Sequence, residues 1–139
     1  LIRQWSWWIT PDTEPKRYDT RFFVCVVPYE PDVEIVPDAS ETVEAKWLTP
    51  TEAVRLHEAD KLFMAPPTYL TLLEMQEFTS AKEIWQATAE QSVLPIQPIH
   101  DKSVEPMQIC LPTHPLHPNK EPNLGCVSVT LDRLHWVCQ

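Results

Sequence analysis

Residues 20–27 read TRFFVCVV, and this stretch gives the clearest secondary-structure signal in the chain. Its apolar residues follow one another without alternation, which predicts a strand covered on both faces. Residues 43–47, VEAKW, alternate apolar and polar side chains and predict a strand with one face in water. Residues 5–10 predict a further strand, and residues 12–17 after it predict a polar loop.

Helix signals follow the strands. Thr49 is placed as an N-cap, Pro50 as the first helical residue and Glu52 as the acidic member of a capping box, which predicts a short helix to about residue 59. After a break at the paired prolines, residues 68–78 predict a second helix. Ser80 and Glu83 form another capping box. That box opens a third helix, which runs to about residue 90, and the whole pattern favours a layered α/β or α+β domain.

Proline and glycine divide the chain near residue 93. Seven of the fifteen prolines lie between residues 95 and 122, and Gly125 is the only glycine. Closely spaced prolines exclude long helices and central strands from this part. We therefore expect a domain over residues 1–92 and a proline-rich extension with short strands over residues 93–139. One glycine is too few for a phosphate-binding loop or a dinucleotide fingerprint.

The charge limits the possible partners. The formal net charge is -9 and the pI is near 4.9, without a cluster of lysine and arginine. An acidic surface repels duplex nucleic acid, so no nucleic-acid partner is expected. The longest apolar run, residues 22–27, is too short to cross a bilayer, so no membrane span is expected either.

Several short segments in order resemble one enzyme family. They resemble the stretch that follows the signature box of the Nudix hydrolases, in the branch that cleaves coenzyme A and acyl-coenzyme A esters. The resemblance covers residues 1 to about 90, and the first two segments with the paired prolines are its most specific part. The segments are residues 8–11 (WITP), residues 16–23 (KRYDTRFF), Glu41, residues 47–53 (WLTPTEA) and residues 62–67 (LFMAPP).

The resemblance implies an α/β/α sandwich that uses Mg²⁺ or Mn²⁺ to break the diphosphate linkage of coenzyme A, giving 3′,5′-ADP and phosphopantetheine or its acyl form. It also implies an intracellular location, peroxisomal or mitochondrial. The substrate would be a small nucleotide-type molecule. Hard divalent ions need several carboxylate oxygens. The family provides them from one helix with an Arg-Glu and a Glu-Glu pair after a glycine-led loop.

That metal-binding segment cannot be placed here. No two acidic residues are adjacent, and Gly125 has too few residues after it. Because the match begins where the family continues after its box, we expect the chain to be a C-terminal fragment, inactive alone, with the box upstream of Leu1. The alternatives are that the box has been lost, or that the chain is a non-catalytic Nudix-like binding or regulatory protein.

Glu41 is the candidate for chemistry within this chain. It matches an acidic position where family members can place an extra metal-binding or water-orienting carboxylate, with Glu44 as a second metal candidate and Asp38 as a weaker one. The alternative for Glu41 is a solvated loop glutamate, since charged residues are mostly exposed without a special role.

Arg17 and Arg21 are the candidates for substrate binding. They flank Asp19, and an arginine fork suits a phosphate, including the 3′-phosphate of coenzyme A. The alternative is a structural pair in which Asp19 binds one of these arginines or caps a turn. Aromatic residues near these positions are expected in the core: Trp8, Phe22, Phe23 and Trp47.

The cysteines give little support for a metal site or disulfides. Cys25 lies in the apolar run, where a reduced, buried thiol is the ordinary case, and a reducing compartment is expected. The alternative is a secreted protein, because the other three cysteines all lie in the C-terminal third of the chain. The C-terminal candidates for zinc are Cys110, His114, His117 and Cys126, whose spacing fits no compact zinc-finger pattern. An ordinary extension is favoured over zinc, and a proline-rich interaction module is a further reading of residues 95–122.

Overall fold

The structure, a computed structural model, describes residues 1–28, 44–101, 108–111, 127–130 and 135–138, with side chains for residues 1–28, 44–100 and Leu111. Within these ranges the chain forms helices and strands in the order strand, strand, three helices, then strands. They are β1 (Ile2–Ile9), β2 (Asp19–Cys25), α1 (Pro50–Glu58), α2 (Pro66–Met75), α3 (Ala81–Glu90), β3 (Pro95–Ile96), β4 (Ile99–Asp101), β5 (Gln108–Cys110), β6 (Val127–Thr130) and β7 (His135–Cys138).

The elements group into two compact units, neither continuous in sequence. The first unit comprises Leu1 and Cys25–Trp85, and the second comprises Ile2–Val24 and Gln86–Gln139. The mixed α+β class expected from the sequence is confirmed, and the α/β/α sandwich stays a prediction. The boundary between residues 92 and 93 also stays a prediction, although β3 beyond it is hydrogen-bonded to β1.

The second unit contains a three-stranded sheet in the order β2-β1-β3. The strands β1 and β3 run parallel, with Trp7 opposite Pro95 and Trp8 opposite Ile96. The side chains of Trp8 and Ile96 are buried, which confirms that Trp8 belongs to the core. Ser6 is buried as well, and its hydroxyl oxygen accepts a hydrogen bond from Trp8 Nε1 at 3.2 Å. The buried indole N–H is therefore satisfied within the strand.

The expectation that residues 20–27 form a strand buried on both faces is wrong. The strand ends at Cys25, Phe23 is 53% exposed, and Val26 and Val27 beyond it are also exposed. Phe22 is half-buried. In the described part of the chain β2 is the outer strand of its sheet, with β1 as its neighbour, and the face that carries Arg21 and Phe23 is exposed. The Cys25 thiol is free and exposed, which corrects its expected burial.

The predicted strand over residues 43–47 is also wrong in its described part. Residues 44–49 have no regular secondary structure, and the Trp47 side chain is 69% exposed instead of lying in the core. Alternation of apolar and polar residues predicts a strand only where a neighbouring strand can accept its backbone hydrogen bonds. The segment instead leads into the cap of α1.

Helix α1 begins as the capping box predicts. The hydroxyl oxygen of Thr49 accepts from the Glu52 backbone N–H at 3.2 Å, and the Glu52 carboxylate accepts from the Thr49 N–H at 3.0 Å. Pro50 occupies the first turn, where no N–H partner is lost. Hydrogen bonds from the Thr49 backbone and then its side chain lower the pKa of Glu52. The cap therefore stabilises the fold above the ordinary pKa of 4.5 and loses this effect as the pH falls through the lower folded pKa.

Helix α2 begins two residues earlier than predicted, on the paired prolines themselves. Pro66 and Pro67 open the helix because the first N–H groups of a helix lack partners in any case. In the first unit, α1 and α2 contact each other. The His57 and Tyr69 rings lie 4.8 Å apart between their centroids, and Tyr69 donates a hydrogen bond to Glu58 at 3.0 Å. Val54 and Leu70 are buried with them.

Helix α3 follows a cap that differs slightly from the predicted box. Ser80 Oγ accepts from the Glu83 N–H at 3.2 Å, as expected. The Glu83 carboxylate, however, accepts from the N–H and hydroxyl of Thr79 at 2.8 and 2.9 Å. These bonds from Thr79, the backbone one first, lower the pKa of Glu83. The helix start was therefore predicted correctly, and the carboxylate binds one residue further back.

The last four strands form an antiparallel sheet in the order β4-β5-β6-β7. The sequence excluded central strands here, and that expectation is wrong, since β5 and β6 lie inside the sheet. The physical reason is that the prolines are spaced far enough apart to leave short proline-free segments between them. Each of these strands is three or four residues long and contains no proline, so every ladder N–H is present. No helix in the described ranges is long and apolar enough to cross a membrane.

We predict that Thr49→Ala lowers the free energy of unfolding by about 1 kcal/mol, the usual effect of removing a threonine N-cap. The substitution removes the acceptor for the Glu52 N–H and one donor to the Glu52 carboxylate. Thr51→Ala is the matched control, because Thr51 is exposed in the same first turn. Urea denaturation of the three proteins measures the effect. Equal stability of the two variants would contradict the capping role.

Candidate functional site

The connection between β1 and β2, here called the 10–18 loop, carries most of the predicted substrate-binding residues. Thr10 and Tyr18 close it, with Thr10 N–H donating to Tyr18 O at 3.0 Å and Tyr18 N–H donating to Thr10 Oγ1 at 3.0 Å. Within it, the Glu14 N–H donates to Pro11 O at 3.1 Å and forms a turn. The polar loop predicted for residues 12–17 is confirmed.

Arg17 is anchored at two points of its guanidinium. Its Nε donates to Thr10 O at 3.1 Å, and Nη2 lies 2.6 Å from Asp12 Oδ1. Its side chain is 44% exposed. Because a guanidinium has five N–H groups in a planar fork, these two contacts leave donors available at an exposed surface.

Arg21 is held over a tryptophan. Its Cζ lies 4.4 Å from the centroid of the Trp7 ring, and Nη1 lies 3.5 Å from Asp19 Oδ1. The same Asp19 oxygen accepts from Trp7 Nε1 at 2.6 Å. Asp19 thus joins the indole and the guanidinium, which is the structural pair considered above. The role of Arg17 and Arg21 in substrate binding is a separate matter and stays a prediction.

Charges around the loop are nearly balanced. Lys16 Nζ lies 5.1 Å from the centroid of the Tyr18 ring and adds a third exposed cation. The carboxylates of Asp12, Glu14 and Asp19 lie on the same stretch. An anion would therefore be bound here by directed N–H donors, and a strong positive potential would contribute little.

The predicted acidic residues are not assembled in the described ranges. Glu41 and Asp38 lie outside the described residues, as do His114, His117 and Cys126. Glu44 is exposed and lies 2.7 Å from Lys46 Nζ, an ion pair on the surface. Among the described residues no group of three His, Cys, Asp or Glu side chains is arranged to hold a metal ion. The metal roles of Glu41 and Glu44 stay predictions.

Two residues that sequence reasoning did not single out contact the 10–18 loop. Gln97 Nε2 donates to Asp12 Oδ1 at 2.8 Å, and His100 Nδ1 lies 2.8 Å from Thr13 Oγ1. His100 Nδ1 is also 3.5 Å from Glu14 Oε1, and its side chain is only 6% exposed. Both contacts link residues more than 80 positions apart. No local sequence signal could have predicted them.

A buried histidine in the first unit has a structural role. His57 Nδ1 lies 2.9 Å from Leu62 O, and since a carbonyl only accepts, Nδ1 carries the proton. Nε2 is then an acceptor in the neutral ring, and it has no hydrogen-bond partner among the described residues. The ring also packs against Tyr69 of α2. His57 therefore connects the turn that follows α1 with α2.

We predict that Asp19→Asn weakens the Trp7 hydrogen bond and removes the ion pair with Arg21, so the free energy of unfolding falls by up to about 1 kcal/mol. The Trp7 indole N–H proton should shift upfield in a ¹H–¹⁵N spectrum as its acceptor loses charge. Asp60→Asn is the matched control, because Asp60 is exposed and its φ of 57° suits asparagine. An unchanged Trp7 resonance in Asp19→Asn would contradict the assignment of this hydrogen bond.

Comparison with known proteins identifies the family. A family model described as the NUDT19 Nudix domain matches residues 1–75, which include the 10–18 loop and α1. No solved structure matches the chain.

Curated relatives agree with this match. Acyl-coenzyme A diphosphatase NUDT19 of Xenopus laevis is 30% identical over 96 residues, covering 66% of this chain and 25% of the relative. The human protein of the same name is 29% identical over 85 residues, covering 60% and 22%, and the Gallus gallus protein is 25% identical over 96 residues, covering 66% and 25%. The chain spans about a quarter of the length of these relatives. It belongs to the NUDT19 Nudix domain family of hydrolases.

Proposed function

We propose that this chain forms the substrate-side part of a Nudix hydrolase that cleaves the diphosphate linkage of coenzyme A and acyl-coenzyme A. The products would be 3′,5′-ADP and phosphopantetheine or its acyl form. The observation that carries the proposal is the family match over residues 1–75, which contains the 10–18 loop with its exposed arginine. Relatives named acyl-coenzyme A diphosphatase support the substrate class.

The 10–18 loop supplies donors suited to a phosphate monoester. Arg17 keeps N–H groups available beyond its contacts with Thr10 and Asp12, and planar guanidinium donors match phosphate oxygens in pairs. Arg21 lies on the same hairpin, held by Trp7 and Asp19. We assign to these two arginines the 3′-phosphate of coenzyme A, which distinguishes this substrate from other nucleotide diphosphates.

Catalysis in this proposal depends on a divalent cation, Mg²⁺ or Mn²⁺, which would polarise the diphosphate and lower the pKa of an attacking water. The described side chains do not fit such an ion by themselves, because Glu44 is paired with Lys46 and no cluster of carboxylates is assembled. Glu41 is the residue we assign to metal binding or water orientation, with Glu44 as the alternative. The remaining ligands would come from the paired glutamates of the family box.

We predict that the purified 139-residue chain does not hydrolyse coenzyme A in the presence of Mg²⁺ or Mn²⁺. Its carboxylates are too scattered in sequence to hold the ions that activate water. Chromatographic detection of 3′,5′-ADP, with and without a chelator, measures the activity. Robust, chelator-sensitive release would overturn the claim that the missing box is essential. Failure to hydrolyse combined with failure to bind 3′,5′-ADP would favour a non-catalytic protein of another ligand class.

We further predict that Glu41→Gln, placed in a longer protein that supplies the paired glutamates, lowers kcat by a factor on the order of 10² or more. KM should change little, because a water-orienting carboxylate acts mainly in the transition state. Glu44→Gln is measured beside it at saturating Mg²⁺. Wild-type kcat in Glu41→Gln would remove Glu41 from the site, and a selective loss in Glu44→Gln would transfer the role to Glu44.

A further inference from the structure

We propose that Gln97 and His100 are positioning residues for Arg17, so that the segment between β3 and β4 sets the affinity of the 10–18 loop for a phosphate group. The inference rests on the proposed function, since it takes Arg17 to be a phosphate ligand. It deepens that function by adding residues from the part of the sequence that had been predicted to be a proline-rich extension.

The contacts to be held in place begin at Arg17. Its Nε and Nη2 are fixed by Thr10 O and Asp12 Oδ1, which determines the plane of the guanidinium. A bidentate contact to phosphate requires that plane to be held, because both N–H bonds must point at oxygens at once. Asp12 is exposed on a loop, and an exposed ion pair alone contributes little to holding a geometry.

Gln97 supplies the first of two links that hold the loop. Its Nε2 donates to Asp12 Oδ1 at 2.8 Å, and the same oxygen lies 2.6 Å from Arg17 Nη2. The three side chains therefore form a row from Gln97 through Asp12 to Arg17. Gln97 immediately follows β3, which is paired with β1. The Gln97 side chain thus connects the exposed Asp12–Arg17 ion pair to the residue that directly follows β3.

His100 holds the loop at a second point. Its Nδ1 lies 2.8 Å from Thr13 Oγ1 and 3.5 Å from Glu14 Oε1. The His100 side chain is only 6% exposed, so it gives the exposed Thr13 hydroxyl a partner that is itself held in place by packing. Thr13 follows Asp12 directly. Fixing Thr13 restricts the backbone that carries Asp12, and both links act on the same side chain, Arg17.

The entropy lost when the loop becomes ordered explains why the Gln97 and His100 contacts affect phosphate affinity. Fixing the backbone of each loop residue costs conformational entropy. A loop that is ordered before the ligand arrives does not lose that free energy on binding. Removing either link should therefore weaken phosphate binding through Arg17 without altering the arginine.

The test uses the 139-residue chain and adenosine 3′,5′-bisphosphate as the probe, with Kd measured by isothermal titration calorimetry. Gln97→Leu keeps the side-chain size and removes the donor. We expect its Kd to rise roughly three- to tenfold, the factor that corresponds to the net contribution of one ordinary hydrogen bond, because the contact with Asp12 is exposed. Gln91→Leu is the matched control, since Gln91 is exposed and its hydrogen bond to Ala87 O is made by the backbone N–H, which the substitution leaves in place. It should bind like the wild type.

A double-mutant cycle separates positioning from general loosening. Arg17→Ala should weaken binding, and Gln97→Leu added to Arg17→Ala should weaken it no further, because Gln97 acts through Arg17. If Gln97→Leu raised Kd by the same factor in the wild-type protein and in Arg17→Ala, the proposal would be overturned. Thr13→Val, which removes the His100 contact at an exposed position, provides an independent variant if Gln97→Leu does not fold, and its Kd should also rise.

The failures of the two proposals are distinguishable. If the wild type binds the probe and Arg17→Ala binds it more weakly, the phosphate role of Arg17 stands. Wild-type affinity in both Gln97→Leu and Thr13→Val would then overturn the positioning role alone. If the wild type does not bind the probe, or if Arg17→Ala binds it equally well, the phosphate role fails and the positioning role fails with it.

Discussion

The parallel pairing of β1 with β3 is the constraint on which the described site depends. It places Trp7 opposite Pro95 and Trp8 opposite Ile96, although nearly ninety residues separate these pairs in the chain. The loop that leaves β1 and the segment that leaves β3 begin at the same end of these parallel strands. This arrangement brings Gln97 and His100 to the 10–18 loop, and with them the anchoring of Asp12 and Thr13. A loop that appears local in sequence is therefore stabilised by distant residues.

Local signals in the sequence predicted local structure well. The Thr49 and Glu52 box, the turn from Pro11 to Glu14 and the start of α3 all depend on residues within four positions of one another. Such contacts are determined by backbone geometry and by the side chains themselves, so the sequence is enough to find them. Pro66 and Pro67 were correctly predicted to mark a boundary, but they form the first turn of α2 instead of preceding it.

Burial was predicted less well. Phe23 and Trp47 were expected in the core and are exposed, because apolar character does not reveal how many layers cover a strand. The position of β2 at the edge of the described sheet is a property of the assembled strands. In the candidate site, Arg17 and Arg21 could be predicted as phosphate ligands from residue type and spacing. The contacts of Gln97 and His100 with the loop could not be predicted from the sequence. Their contribution comes from a strand pairing, which depends on the whole unit.

We propose that the 10–18 loop is the part of this chain that binds the nucleotide phosphate of its substrate. The most direct measurement is a ¹H–¹⁵N NMR titration of the isotope-labelled chain with adenosine 3′,5′-bisphosphate, followed at assigned amides and side-chain N–H groups. We expect the largest chemical-shift changes at Arg17 Nε–H and the loop amides, while the resonances of the α1 and α2 amides do not change. Shifts concentrated at α1 and α2, or none at saturating probe, would contradict this proposal.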